Sequence, residues 1–468
     1  MRSGPEFLPV YVGPGLLMRR ATSADTEELA AFNVRLHSDD PDNPERWLGE
    51  WTRDLMRGNH PTTGPDDVTV VVDEEEGGKI VSSVVLISQT WRYDDVPFAV
   101  GRPELIATDE EYRRRGLVRA QIDVVHRWSA ERGELVQAMV GIPWYYRMFG
   151  YEMALEMGGS WLYPYDRLQR LKPSSAAARY SVRAAGEQDV PLLDRLYERH
   201  CGDSLVSRVR SVDEWRYEML EAHATSVYRR NLRIVTEVDN EEMEAGAERT
   251  GAIEPTPIGY FEFATWPHAM AVREIAAAPG ASLRAVALEA ARYLQGVIDE
   301  QGKTTGEGEA DVQSRTVRRA LLFATGPGHP VLRALEDRLV ASGEPYAWYV
   351  RVPDLRAFLW RIQPVLERRL AESVLAGHSG RTRLNFYTEQ MTLEFERGRL
   401  AAIGDYQPQR LQDGNAAFPG LTFLQLLFGY RSVGDLRHAF ADCYASGETA
   451  LLLDILFPRQ HSYPTGLG

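Results

Sequence analysis

Cysteine is scarce in this chain. Two among 468 residues, Cys201 and Cys443, stand far apart and form no C-x-x-C pair, so neither a disulfide framework nor a zinc site is expected. Each reads as a small buried side chain. Long apolar runs are missing too: none approaches the ~20 residues that cross a bilayer, and the first residues lack a basic flank leading into an apolar signal region. The expectation is a soluble, cytoplasmic protein with no membrane partner. Net positive charge is also absent. With 53 Lys and Arg against 67 Asp and Glu, the formal charge is −14. That argues against nucleic acid, whose binding draws on a basic surface, and would suit a cationic small molecule. The 10 histidines do not cluster at ligand spacing, and no H-E-x-x-H, G-x-S-x-G or Walker A pattern occurs. No metal is expected.

What is present is organised. The length exceeds one ordinary core and suggests about two to four domains, and a hydrophobic share of 44% suffices to build them. Glu104 to Thr108 reads as strand and Arg119 to Ala130 as helix, with Arg113-Arg114-Arg115-Gly116-Leu117-Val118 between them. A turn that feeds a helix leaves backbone N–H groups without intrahelical partners, at the end where the helix dipole is positive. An anion such as a pyrophosphate finds donors there. Gly116 lets the backbone approach closely, and arginines add forked donors. Downstream, Leu135 to Val140 reads as a short buried strand running into Gly141-Ile142-Pro143-Trp144-Tyr145-Tyr146-Arg147-Met148-Phe149-Gly150-Tyr151.

This order, an R-x-x-G-x-G/A-like turn after a strand, then a strand, then a Phe-Tyr-x-x-x-Gly-Phe-like helix, resembles the GCN5-related N-acetyltransferase (GNAT) family over most of residues 14–165. Two residues depart from its pattern. Val118 stands where the phosphate loop ends in a small residue, but keeps its N–H. Pro143, in the strand-end segment, has none.

An internal echo follows. Met18 to Leu29 and Val182 to Leu193 share a pattern of strand, turn and acid-opened helix, with Arg19/Arg183, Ala21/Ala185, Asp25/Asp189 and Leu29/Leu193 at one constant offset. Val272 to Ala278, Ser282 to Val297 and Arg319 to Thr325 continue the second copy as strand, helix and strand. That copy has Ala278-Pro279-Gly280-Ala281-Ser282-Leu283 in place of the arginine turn and Gly326-Pro327-Gly328-His329-Pro330 in place of the tyrosine segment, so it reads as degenerate. Glu237 to Glu254 and Asp299 to Asp311, acidic and aperiodic, read as surface excursions.

The last hundred or so residues change character. Val352 to Ala376 carries Leu355, Phe358, Leu359, Ile362, Val365 and Leu366 at helical spacing. Arg383 to Tyr387 and Met391 to Glu396 alternate as strands around a turn at Arg397-Gly398, and helices are expected over Gly420 to Phe428 and Val433 to Ala445. Their apolar faces would cover the sheet, either as core or as a lipid groove.

Taken in order, the parts resemble the enhanced-intracellular-survival (Eis) type of acetyltransferase. The resemblance implies an α/β (α+β) architecture: two tandem GNAT folds, each a mixed central sheet flanked by helices, at 14–165 and 178–365, then a sterol-carrier-like α+β domain at 366–468. It implies acetyl-CoA as cosubstrate, held by Ile106, Ala107 and Thr108 along the pantetheine arm, by Arg114, Arg115, Gly116, Leu117, Val118 and Arg119 at the pyrophosphate, and by Gly141 and Ile142 beside the thioester. Tyr146 matches the family's proton donor. In such proteins the C-terminal carboxylate, usually on an aromatic residue, serves as base; here that position is Gly468. The acceptor implied is a primary amine on an aminoglycoside, a polyamine or a lysine, and the assembly a homo-oligomer, hexameric in relatives. The other reading is a non-catalytic scaffold whose third domain binds an apolar ligand.

Overall fold

The computed structural model describes residues 8–171, 179–237, 255–266, 269–304, 320–343, 346–410 and 413–464. The first unit opens with β1 (Val10–Gly13) and β2 (Leu16–Arg20), passes through α1 (Thr26–His37) and α2 (Trp47–Met56), and returns as β3 (Val68–Asp73), β4 (Lys79–Tyr93) and β5 (Val96–Thr108) in an antiparallel sheet. β3 reads Val-Thr-Val-Val-Val-Asp, and every residue of it is buried, because β-branched side chains pack well on a pleated strand. α3 (Leu117–Glu131) then crosses the sheet and delivers β6 (Val136–Met139) parallel to β5. It buries Leu117, Ile122, Val124, Val125 and Trp128, the apolar face of an amphipathic helix. β7 (Glu152–Met157) follows.

The second unit runs the same course. After β8 (Ser160–Tyr163) come β9 (Tyr180–Ala184), α4 (Val190–His200), β10 (Val206–Val209), β11 (Asn231–Glu237), β12 (Thr256–Trp266) and β13 (Ala269–Ala277). α5 (Leu283–Thr304) then delivers β14 (Ala320–Phe323) parallel to β13. The repeat extends to side chains. Arg19 holds Asp25 through bonds of 2.8 and 2.7 Å, and Arg183 holds Asp189 through two of 2.7 Å. Each clamp ties the end of a strand to the start of the helix after it.

The two sheets exchange strands. β15 (Val340–Gly343) and β16 (Tyr346–Arg351) come after the second unit, yet β16 inserts between β6 and β7 of the first sheet, antiparallel to both. Reciprocally, β8 inserts between β14 and β15 of the second sheet. β10 adds a further link by pairing with the far end of β4. Sheet pairing therefore crosses the spans 14–165 and 178–365 in both directions.

The third unit holds β17 (Gly380–Asn385), β18 (Gln390–Glu396) and β19 (Arg399–Gly404), extended by β20 (Ala416–Ala417) and β21 (Tyr444–Ala445). The turn at Arg397-Gly398 is present with φ of 51° and 81°, the paired positive angles of a two-residue hairpin. Other expectations need correction. The helix over Val352 to Ala376 is two, Leu355–Arg361 and Gln363–Ala371, because Pro364 has no N–H for a continuous ladder and starts the second instead. The helix over Gly420 to Phe428 is confined to Phe423–Leu427. The one over Val433 to Ala445 stops at Ala439, and its last two residues are β21. Asp299 to Thr304 are the final residues of α5, not an excursion; residues 305–311 and 238–254 lie outside the described residues. Gly447–Leu456 is a further helix, whose near-continuous apolar run masks its period.

The apolar face of the third unit is packed. Ile362, Leu366, Phe423 and Leu427 share one core with Trp91 and Trp348 of the first sheet, and the Tyr93 hydroxyl donates to the Leu427 carbonyl at 2.8 Å. Among the described residues no helix is long and apolar enough to cross a membrane.

Charge lines the seam between the first two units. Arg208 of β10 bonds Glu214 and Glu218 at 2.8 and 2.7 Å, and Arg210 bonds Glu274 of β13 at 3.0 Å, all of these residues being buried. Burial alone would raise the carboxyls of Glu218 and Glu274. The guanidiniums of Arg208 and Arg210 reverse that for Glu218, and Arg210 does so for Glu274, holding both carboxyls well below the ordinary value. Removing one partner strands a buried charge, whereas replacing a pair by apolar groups does not. Glu274→Gln should therefore destabilise by about 3–5 kcal/mol. Arg210→Met combined with Glu274→Leu should restore most of that loss, as read from urea unfolding midpoints.

Candidate active site

β5 and β6 pair at only two positions, Val100 with Val136 and Gly101 with Gln137. Beyond them the strands part, and no strand among the described residues pairs with the outer edge of β5 from Arg102 to Thr108. Leu105 takes φ of 49° where the pairing with β4 slips register, a bulge that bends the strand. Ile106, Ala107 and Thr108 lie on this open edge. The Ser82 hydroxyl anchors it, donating to the Ala107 carbonyl at 2.9 Å and lying 2.8 Å from Thr108 Oγ1.

The turn that follows has the geometry of an anion cradle. Arg114 and Gly116 take φ of 65° and 80°. Among the described residues no backbone carbonyl accepts from the N–H groups of Arg114, Arg115, Gly116, Leu117, Val118 or Arg119. These donors sit at the positive end of the α3 dipole. A β-carbon added at Gly116 would meet nothing within 4 Å, so the space over the turn is open. Arg115 stacks on Tyr112 at 4.7 Å and Arg119 on Phe149 at 5.0 Å, which holds both guanidiniums near the turn.

Across the cleft lie Gly141, Ile142 and Tyr146. Tyr146 stands in a single 3-10 turn, Tyr145–Phe149, rather than in a longer helix. Its ring packs so closely on Gly141 that a β-carbon there would lie 2.2 Å from the ring. Tyr145, Tyr349 and Tyr151 surround it at centroid distances of 5.2, 5.5 and 6.5 Å. The hydroxyls of Tyr346, Tyr349 and Tyr151 are committed to the Gly141 carbonyl, the Ile142 carbonyl and Gln137. That of Tyr146 makes no hydrogen bond among the described residues. Burial first, then Glu104, Tyr145 and Tyr349, push its phenol well above the ordinary value, so it keeps its proton at neutral pH. Gly468 lies outside the described residues, and among those described no cluster of His, Cys, Asp and Glu could hold a metal.

Residues 18–154, which span this cleft, match the model of the acetyltransferase (GNAT) domain. The first unit is a GNAT acetyltransferase domain. The whole chain is similar in fold to a GCN5-related N-acetyltransferase from Anabaena variabilis, at 12% identity, TM-score 0.60 and coverage of 96% of this chain and 98% of that one. It is similar likewise to a GCN5-related N-acetyltransferase from Kribbella flavida (15%, TM-score 0.59, 96% and 97%) and to Eis1 from Mycobacterium abscessus (14%, TM-score 0.54, 96% and 99%). By sequence, no curated protein matches. Through its GNAT domain the chain is an N-acetyltransferase, and domains of this type use acetyl-CoA.

Pattern reading missed one residue of the GNAT domain. Glu104 is buried on the open edge of β5, beside the Leu105 bulge, and its carboxylate meets Arg102 at 2.5 Å. Burial raises its carboxyl above the ordinary value, against the pull of Arg102. Its signal in the sequence is slight, one acid two residues after an arginine in a mostly apolar strand.

The second unit has a matching cleft, and the chain itself occupies it. β13 and β14 pair from Ala269 to Val272 and then part. The Tyr463 hydroxyl donates there to the Arg273 carbonyl. Gly326 and Gly328 leave room for this segment: β-carbons would lie 3.1 Å from the Tyr463 ring and 2.4 Å from the His461 ring. The glycines of that turn thus admit protein rather than phosphate.

Two histidines of the GNAT domain are held neutral. Burial first and Arg208 second lower His60 to about 4; burial first and Arg351 second lower His126 to about 3. With folded values below the ordinary 6.5, the unfolded chain binds the extra protons on acidification. Their contribution is whole above pH 6.5 and is lost as the pH falls toward about 4 for His60 and about 3 for His126. Urea midpoints measured across that window should decline, and less steeply in His126→Gln.

Proposed function

We propose that the GNAT domain transfers the acetyl group of acetyl-CoA to a primary amine of a small cationic acceptor, of aminoglycoside or polyamine type, or of a lysine. The observation that carries this reading is the set of uncommitted N–H donors from Arg114 to Arg119, placed beside the open edge of β5 and the unengaged Tyr146 hydroxyl. Bound acetyl-CoA would supply an activated thioester carbonyl; the rest of the chemistry falls to this chain's own groups.

The turn from Arg114 to Arg119 would hold the pyrophosphate and the edge from Ile106 to Thr108 the pantetheine arm. Ile142 N–H would face the thioester oxygen and stabilise the negative charge gathering on it. Tyr146, a phenol kept protonated by its burial, would hand its proton to the departing sulfur. An amine arrives as ammonium and must lose a proton. Glu104, with a raised carboxyl pKa on the same edge, is the group we assign to receive it. The net charge of −14 suits such an acceptor. Gly468 retains its proposed part as a second carboxylate.

The second unit, its cleft filled by Tyr463, would hold no cofactor, leaving one active site per chain. The third unit we read as sterol-carrier-like in kind, its apolar face spent on packing. The chain we place in the cytoplasm and expect to assemble as a homo-oligomer, hexameric by analogy. Light scattering tests the assembly.

Tyr146→Phe should lower turnover by roughly 10²-fold, with acetyl-CoA affinity by calorimetry unchanged. Reversing Arg114 and Arg115 to glutamate should abolish measurable binding. Binding that survives reversal would remove the cradle from the mechanism. An amine-panel assay identifies the acceptor.

A further inference from the structure

The exchanged strand β16 carries two tyrosines whose hydroxyls end on main-chain carbonyls of the first unit. Tyr346 donates to the Gly141 carbonyl at 2.9 Å and Tyr349 to the Ile142 carbonyl at 3.2 Å. Main-chain pairing of β16 with β6 has stopped by then, its last position being Tyr349 opposite Met139. Past that point, among the described residues, these two hydroxyls make the hydrogen bonds that tie the end of β6 to β16.

A trans peptide unit points its C=O and N–H in opposite directions. The Gly141 carbonyl and the Ile142 N–H belong to one such unit. With the carbonyl turned to β16, the N–H is turned away from it, and in the order β5-β6-β16 the opposite side is the cleft where β5 and β6 part. Pro143 follows immediately and has no N–H, so Ile142 supplies the last donor of that strand end. Among the described residues no backbone carbonyl accepts from it. Gly141 also lies under the Tyr146 ring, so the same peptide sets donor and phenol side by side.

We propose that Tyr346 is a positioning residue for acetyl transfer: by holding the Gly141 carbonyl it aims the Ile142 N–H at the thioester oxygen, and Tyr349 steadies the next carbonyl. It is contributed to the active site of the first unit by the chain that follows the second. The proposal rests on reading Gly141 to Tyr146 as the acetyl-transfer site.

The test uses the full chain with acetyl-CoA labelled with ¹³C at the acetyl carbonyl, and needs no acceptor. A donor aimed at that oxygen polarises the carbonyl and displaces its NMR resonance from that of free acetyl-CoA. In Tyr346→Phe the displacement should fall by about half or more while affinity stays within about threefold; with an acceptor found by the amine panel, kcat should separately drop about tenfold with KM for acetyl-CoA preserved. Tyr346→His, whose ring N–H can donate again, should recover part of the displacement. Tyr11→Phe removes a remote hydroxyl bonded to Glu74 and should leave the displacement unchanged. An undiminished displacement in Tyr346→Phe overturns the proposal. So does a loss of displacement accompanied by lost binding or a lowered unfolding midpoint, since the hydroxyl would then only hold the fold. Failure of the wild-type chain to bind acetyl-CoA would instead refute the site reading beneath it.

Discussion

The pairing of β16 between β6 and β7 is the constraint on which the rest of the molecule depends. Backbone groups of an open strand edge must find partners, and here those of β6 and β7 find them in a segment made after an entire second fold. That one insertion completes the first sheet and brings Tyr346, Tyr349 and Arg351 beside the cleft. It also buries Trp348 against Trp91, in edge contact at 5.7 Å, within the core shared with the third unit. The first sheet and the third unit thereby share one packed core.

The local features were legible in the sequence because their causes are local. The turn at Arg113 to Val118 requires φ > 0 near a helix start and shows it as a glycine before an apolar period. The repeat showed as Arg19/Asp25 and Arg183/Asp189, which are clamps within a few residues of chain. The exchange was illegible for the converse reason. β8 and β16 have ordinary strand patterns, and nothing in Ser160 to Tyr163 or Tyr346 to Arg351 says which of two similar sheets will accept them. Glu104 was hidden likewise, since a carboxylate gains its altered proton affinity from burial that a strand's alternation does not announce. The break at Ile362 went unseen because Pro364 is tolerated in a first turn, and apolar spacing continued across it.

The two clefts show how one scaffold is put to different uses. Both open where parallel strands part after a crossover helix. In the first, the chain leaves its donors uncommitted and places glycines where a ligand or a ring needs space. In the second, the equivalent space is taken by Tyr463, bound at Arg273.

The buried ion pairs of the seam bear on how such a chain can vary over evolutionary time. Arg210 follows β10, which pairs with the first sheet, Glu274 lies on β13 of the second sheet, and Glu218 is shared between Arg208 and Arg210. A lone substitution at any of them leaves a bare charge in a poorly solvated place, so drift at these positions is confined to concerted replacements. The seam would then appear among homologues as a small set of covarying columns, inherited together while the surface around it diverges freely.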